Sequence, residues 1–162
     1  MIHYVTGDIL FSKANAIAHG VAPNDDFAQG LALSLREFSP AMYKDFRHYC
    51  QSTHPKAGTL WTWGGAGGTR IVALFTQEGA YGHGAKPGRA TTANVNHALK
   101  ALAQEAGKEG WTSLALPRLA TGVGGLDWSA VRPLVEQHLG GLGIPVFVYE
   151  TFQKGKVAEE GL

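Results

Sequence analysis

Cysteine is almost missing from this chain of 162 residues: Cys50 stands alone. A disulfide framework is therefore excluded, and a reducing compartment, the cytoplasm, is the expected location. Metal-ligand spacing is missing as well. The seven histidines and one cysteine form no HxxxH, HExxH or CxxC, which argues against zinc. No apolar run approaches the ~18 residues of a membrane span. Met1 to Val5 reads as a strand, not as the charged start of a signal peptide. Net charge is +1 with no basic block, so the broad electrostatic footprint of a nucleic-acid binder is lacking. One docked nucleotide remains compatible with that balance. Walker A and Gly-x-Ser-x-Gly do not occur. The run Gly122-Val123-Gly124-Gly125 does not fit Gly-x-Gly-x-x-Gly, which disfavours a dinucleotide Rossmann site.

Glycine is the residue in excess. Of the 22 glycines, 17 gather at 58–68, 79–88, 107–110, 122–125 and 140–143. Clustering of this kind marks shaped loops. Six strands are expected: Ile2–Val5, Ala16–His19, Thr59–Trp63, Arg70–Thr76, Ser113–Leu116 and Pro145–Tyr149. Helical patterns lie between them. Phe27, Leu31, Leu35 and Phe38 recur on one helical face, and Met42, Phe46, Tyr49 and Cys50 on a second. Ser39-Pro40 is a helix start, with Ser39 as cap. Thr91 or Thr92 caps a long helix carrying Val95, Leu99, Leu102 and Ala106, ended by Gly107. A last helix carries Trp128, Val131, Val135 and Leu139. Pro133 places its regular start just before that residue. The segment 153–162 reads as a frayed tail and 1–152 as the folded domain, a monomer. Strands alternating with helices give an α/β fold with a largely parallel or mixed sheet.

The strands run into unusual loops. Ser113–Leu116 enters Pro117 to Asp127, where three glycines in four residues precede a helix. Backbone N–H groups converging at a helix N-terminus suit a phosphate, although a glycine-rich αβ connection need not bind anything. Gly7-Asp8 follows the first strand. The Asp8 carboxylate suits the exocyclic amine of adenine, or serves as a turn residue. His19 and Gly20 lead into Asn24, Asp25, Asp26 and Gln29, the densest polar cluster, which can bond ribose hydroxyls, position a water or cap a helix. Gly30 there allows close approach of a ligand or tight packing on the sheet. Thr76 leads into Gln77 to Arg89, where His83 is a candidate proton-transfer group or a solvated loop residue. Cys50, on an apolar helical face, is read as packing. In α/β sheets ligands bind outside the carboxyl ends of the strands, so these loops share one cleft.

Taken together the segments resemble the macrodomain family, over about residues 2 to 152. Val5-Thr6-Gly7-Asp8-Ile9-Leu10 looks like its first-strand Gly-Asp-Ile motif, and Leu116 through Trp128 like its phosphate loop. Leu74-Phe75-Thr76-Gln77, followed by Tyr81-Gly82 and Arg89-x-Thr91, is similar to the branch of ADP-ribose 1''-phosphate phosphatases and terminal ADP-ribose glycohydrolases. The resemblance implies a three-layer α/β/α fold around a mixed, largely parallel six-stranded sheet. It implies ADP-ribose, or an ADP-ribosylated macromolecule, as ligand, with no cofactor and no metal. Asp8, Ile9, Tyr149 and Phe152 would hold adenine. Pro117, Ala120, Thr121, Gly122, Val123, Gly124 and Gly125 would wrap the diphosphate. His19, Gly20, Val21, Gly30, Leu31, Thr76 and Gln77 would line the remainder. Two departures stand out. The lysine of the glycohydrolase branch falls near Gln77, and its acidic partner near Gly124, so a covalent lysine adduct is unavailable. An enzyme would instead align a water through Asp26, Gln29 or His83, with Asp127 more naturally a helix cap. The activity implied is hydrolysis of an ADP-ribosyl linkage on protein or nucleic acid, or of the phosphate of ADP-ribose 1''-phosphate; the alternative is a non-catalytic ADP-ribose reader.

Overall fold

The computed structural model describes residues 1–64, 68–79, 88–122 and 124–162. Among them, six strands form one sheet: β1 (Ile2–Gly7), β2 (Ala16–Val21), β3 (Leu60–Gly64), β4 (Arg70–Phe75), β5 (Leu114–Pro117) and β6 (Val146–Phe152). The order is β1-β6-β5-β2-β4-β3. Neighbours pair in parallel except β3, which lies antiparallel to β4 at one edge. The helices are α1 (Gly30–Phe38), α2 (Pro40–Thr53), α3 (Thr92–Glu109) and α4 (Trp128–Leu139). This is the mixed, largely parallel sheet expected from the alternation, in the α/β/α architecture that the resemblance implies. No described helix is long and apolar enough to cross a membrane.

Side chains of a strand alternate between the faces of its sheet, and here that alternation separates one core from two further clusters, one of them around Ile9, Ile17, Phe147 and Tyr149. Ala16 and Ala18 of β2 and Val72 and Leu74 of β4 pack under α3 and α4, against Val95, Leu99, Leu102, Val131 and Val135. Val21, Ile71, Ala73 and Phe75 point the opposite way, toward Leu35, Met42, Phe46 and Cys50 of α1 and α2. Leu99 is fully buried, so truncation to alanine would remove about 2–5 kcal/mol.

Several local expectations are corrected. α3 passes through Gly107 and stops at Gly110, whose φ of 66° supplies the left-handed cap. Thr91 is its N-cap, accepting from the N–H of Asn94 at 3.1 Å. α4 begins at Trp128, well ahead of Pro133. Ser129 and Pro133 both lie on the solvent face, where water can satisfy the carbonyl that loses its helical donor. Ser39 occupies the cap position of α2, but its side chain makes no capping bond. Phe27 and Phe38 do not share a buried helical face. Phe27 precedes α1, and Phe38 is exposed. Segment 153–162 is docked, not frayed. Asp8 N–H donates to the Lys156 carbonyl (2.8 Å). Glu160 accepts from Ser12 (2.6 Å), Tyr149 (2.7 Å) and the Lys13 amide (2.8 Å). Ala158 is buried against Gly7, where a Cβ would come within 2.9 Å of it.

Candidate functional site

Two cavities open at the carboxyl ends of the parallel strands, as the topology requires. One, of ≈ 300 Å³, lies between the β2–α1 loop and the segment after β5. The other, of ≈ 490 Å³, lies between the ends of β1 and β6 and the start of α1. Gly30, Leu31 and Pro117 border both, so the two form one cleft. The larger is mostly apolar. Ile9, Leu10, Tyr149 and Phe152 form its walls, with Lys154 at its edge. The smaller is polar, with Asp25, Asp26, Gln29, Gln77 and Arg118 among its lining.

The polar half carries unspent donors. The first N–H groups of a helix have no partner within it. At α1 the cap residue Gln29 makes no side-chain capping bond, and Gly30, Leu31 and Ala32 line the cavity. Across from them, the segment after β5 is bent by positive φ at Ala120 (61°) and Gly125 (79°). Leu126 N–H closes it onto the Ala120 carbonyl at 2.9 Å, and Gly125 N–H onto that of Gly122 at 3.1 Å. Ala120, Gly122 and Gly124 line the cavity, and their N–H groups find no acceptor among the described residues. A helix N-terminus, a turn with unspent amides and the nearby residue Arg118 are the kinds of groups that hold an anion such as a phosphate.

The β2–α1 loop is tightly determined. Phe27 is fully buried yet has φ 53°, rare for an aromatic residue. Its ring packs 4.7 Å from Phe46 and edge-on to His19 at 5.6 Å. Asp25 accepts from Phe27 N–H (2.7 Å), and Asp26 from Ala28 N–H (3.2 Å). These are turn contacts ahead of the helix, and neither aspartate caps α1. Arg36 donates to the Asp26 carbonyl (3.1 Å) while its guanidinium lies 4.3 Å over the Tyr43 ring. Burial pushes the Asp25 carboxyl up from its ordinary value, partly offset by the Phe27 amide and reinforced by the neighbouring Asp26 charge. His19 is 2% exposed, its Nε2 has no partner among the described residues, and burial drives its imidazole down to about 4. It is neutral at pH 7.

Gly30 has φ 64°, and a Cβ there would meet nothing within 4 Å. The backbone conformation, not packing on the sheet, demands glycine. At Gly124 a Cβ would fall 2.7 Å from the Ala120 carbonyl oxygen and 2.9 Å from its Cα. An acidic side chain has no room there. Gln77 is buried, and its amide donates to the Gly88 carbonyl at 2.8 Å, so this position braces a loop. Both departures from the glycohydrolase pattern are thus built into the local structure.

The expected site residues mostly converge. His19, Gly20, Val21, Asp26, Gln29, Gln77, Ala120, Gly122 and Gly124 border the polar half, and Asp8, Ile9, Tyr149 and Phe152 the apolar half. Asp8 spends both oxygens within the chain, on the amides of Leu10 (3.1 Å) and Gly155 (3.0 Å). Its turn role is therefore real, whatever else it binds. The Tyr149 hydroxyl is occupied by Glu160, and burial, followed by that bond, raises its pKa. Three expected residues do not line the cleft. Thr76 is buried beneath Gly20, the Thr121 hydroxyl donates to the Arg118 carbonyl (2.9 Å), and Gly125 shapes the turn. His83 and Val123 lie outside the described residues. Arg118, Ser34 and Lys154 are polar lining residues that reading the sequence left out, and Asp25 was read in the polar cluster without being singled out for catalysis. Asp127 precedes α4 but makes no capping bond. No cluster of three or more metal-binding side chains occurs among the described residues.

No family model matches the chain. It is 26% identical over 159 residues to the DNA ADP-ribosyl glycohydrolase of Thermus aquaticus, covering 96% of this chain and 43% of that protein. It is 27% identical over 162 residues to the DNA ADP-ribosyl transferase–DNA ADP-ribosyl glycohydrolase fusion protein of Thermosipho africanus, covering 93% of this chain and 42% of that one. The chain spans less than half the length of these curated relatives. Among solved structures it is similar to the macrodomain of Thermus aquaticus DarG, with TM-score 0.80, 26% identity and coverage of 93% of this chain and 98% of that one. Thermosipho africanus DarTG in complex with ADP-ribose gives TM-score 0.81 at 24% identity, over 96% of this chain and 42% of that one, a likeness of fold.

Proposed function

From the premise that the chain is a macrodomain, we propose that it binds ADP-ribose in the two-part cleft and hydrolyses an ADP-ribosyl linkage, with nucleic acid as the favoured acceptor. One observation carries the binding half. Gly30, Leu31 and Ala32 at the α1 N-terminus and Ala120, Gly122 and Gly124 after β5 line one polar cavity, which shares Pro117 with an apolar one bordered by Phe152. An adenine in the apolar half and a diphosphate in the polar half match that division in both size and chemistry. The distal ribose then lies against the β2–α1 loop, near Asp25, Asp26 and Gln29.

The hydrolytic half is supported by that loop and by the activity named for the Thermus aquaticus relative. With glutamine at 77 and no room at 124, the chemistry is that of a water aligned against the anomeric carbon. Diphosphate anchoring supplies proximity, and the loop supplies electrostatic orientation. The same two positions favour a second reading, a non-catalytic ADP-ribose reader. Incubation with an ADP-ribosylated oligonucleotide, an ADP-ribosylated protein and ADP-ribose 1''-phosphate separates the two. Release from the oligonucleotide is expected. Calorimetric binding of ADP-ribose with no turnover on any of the three would establish the reader.

A further inference from the structure

We propose that Asp25, and not its exposed neighbour Asp26, is the catalytic base of this cleft, accepting the proton of the water that attacks the anomeric carbon. The inference rests on the hydrolase reading above. Asp25 is half-buried and borders the polar cavity. One lone pair is committed to Phe27 N–H at 2.7 Å, which fixes the carboxylate while leaving further acceptor sites for a water. The anchor is rigid. Phe27 keeps an unfavourable left-handed φ of 53° because its fully buried ring is locked between Phe46 and His19. Asp26 lines the same cavity but is the more exposed of the two. Its carboxylate holds Ala28 N–H, and its carbonyl is held by Arg36.

A second, independent feature marks this wall of the cavity as a place where something polar binds. His19 lies on it almost completely buried, with Nε2 unpartnered among the described residues. A buried polar atom of this kind calls for a partner, which a ribose hydroxyl or an ordered water supplies. Among the described residues, the groups that bear charge or titrate and share this cavity or act on Asp25 are Asp26 beside it, Cys50 of α2, His19 of β2 and Arg118 after β5. Burial raises the Asp25 carboxyl toward the range in which a carboxylate is an effective base. In the reaction, the water oxygen forms a bond to the anomeric carbon while the glycosidic bond breaks. That bond's electron pair departs on the acceptor atom, which takes a proton from solvent. Asp25 takes the water's proton and returns it to bulk water. ADP-ribose and the unmodified acceptor result.

The test compares single-turnover hydrolysis of an ADP-ribosylated oligonucleotide by wild type, Asp25→Asn and Asp26→Asn, with ADP-ribose affinity measured for each. Asparagine at 25 keeps an oxygen for Phe27 N–H. Asp25→Asn is expected to slow the chemical step by about 10²-fold or more, with affinity held within about threefold; Asp26→Asn slows it less than about tenfold. The wild-type rate falls tenfold per pH unit below a pKa higher than that of an ordinary aspartate, and Asp25→Asn lacks this limb. An Asp25→Asn rate within about threefold of wild type, or a larger loss in Asp26→Asn, overturns the assignment. If Asp25→Asn fails to fold, a wild-type rate with no acid limb above the ordinary aspartate range overturns it. Absence of wild-type turnover on every substrate sinks the hydrolase reading and this inference together. A full rate in Asp25→Asn sinks the inference alone.

Discussion

Gly124→Ala adds a single methyl group and strikes the cradle directly. The new Cβ would sit 2.7 Å from the Ala120 oxygen, 2.9 Å from its Cα and 3.0 Å from its carbonyl carbon. All three atoms are backbone, so no side chain can swing aside. Ala120 already holds φ 61°, and its carbonyl accepts from Leu126 N–H at 2.9 Å. Relief of the clash has to move this segment and weaken that bond, a loss of about 0.5–1.5 kcal/mol. In a domain of this size the melting temperature should fall by a few degrees, roughly 2–4 °C per kcal/mol. Binding should suffer more. A hydrogen bond to a charged group contributes about 1.5–3 kcal/mol, so displacing one amide donor from a phosphate weakens affinity by about 10- to 150-fold. Calorimetric titration with ADP-ribose and thermal unfolding read the two effects separately. An alanine variant that binds ADP-ribose within about threefold of wild type would refute the cradle argument.

Other expectations follow from the same geometry. Phe152 is 69% exposed, so Phe152→Ala should leave stability within about 0.5 kcal/mol. It should weaken ADP-ribose by about 5- to 150-fold, the worth of one base–aromatic stack at ~1–3 kcal/mol, and unchanged affinity would place adenine elsewhere. His19 is depressed by burial to about 4, below its unfolded value, so the unfolded chain takes up this proton first as pH falls. Its contribution, about 3 kcal/mol at neutral pH, should be lost between roughly pH 6.5 and 4. Urea unfolding across that range should show this loss in wild type and not in His19→Phe; parallel curves would contradict the buried neutral imidazole.

Legibility in the sequence tracked how local each determinant is. β2, β4 and β5 are short apolar runs bounded by turn residues, and they were readable to within a residue or two. Placing the loops on one sheet edge needed only the alternation of strands and helices. Helix starts and stops were harder. Gly107 and Gly110 are equally plausible terminators by composition, and only the left-handed φ at Gly110 separates them. Phe27 fitted a helical spacing, yet contacts with Phe46 and His19 hold it in a left-handed turn. The docking of segment 153–160 depends on partners more than a hundred residues away, Ser12, Lys13 and Asp8, to which spacing is blind. Asp25 and Asp26 are indistinguishable as letters. Their difference is burial, which the Phe27 anchor creates.

The central claim is that one cleft holds ADP-ribose with its diphosphate between α1 and the segment after β5. A crystal structure of the protein with ADP-ribose tests it most directly. Phosphate oxygens are expected within about 3 Å of the amides of Gly122 and Gly124 and of the α1 N-terminus, with adenine against Phe152. A diphosphate bound outside that cradle, or adenine away from the β1 and β6 ends, would contradict it.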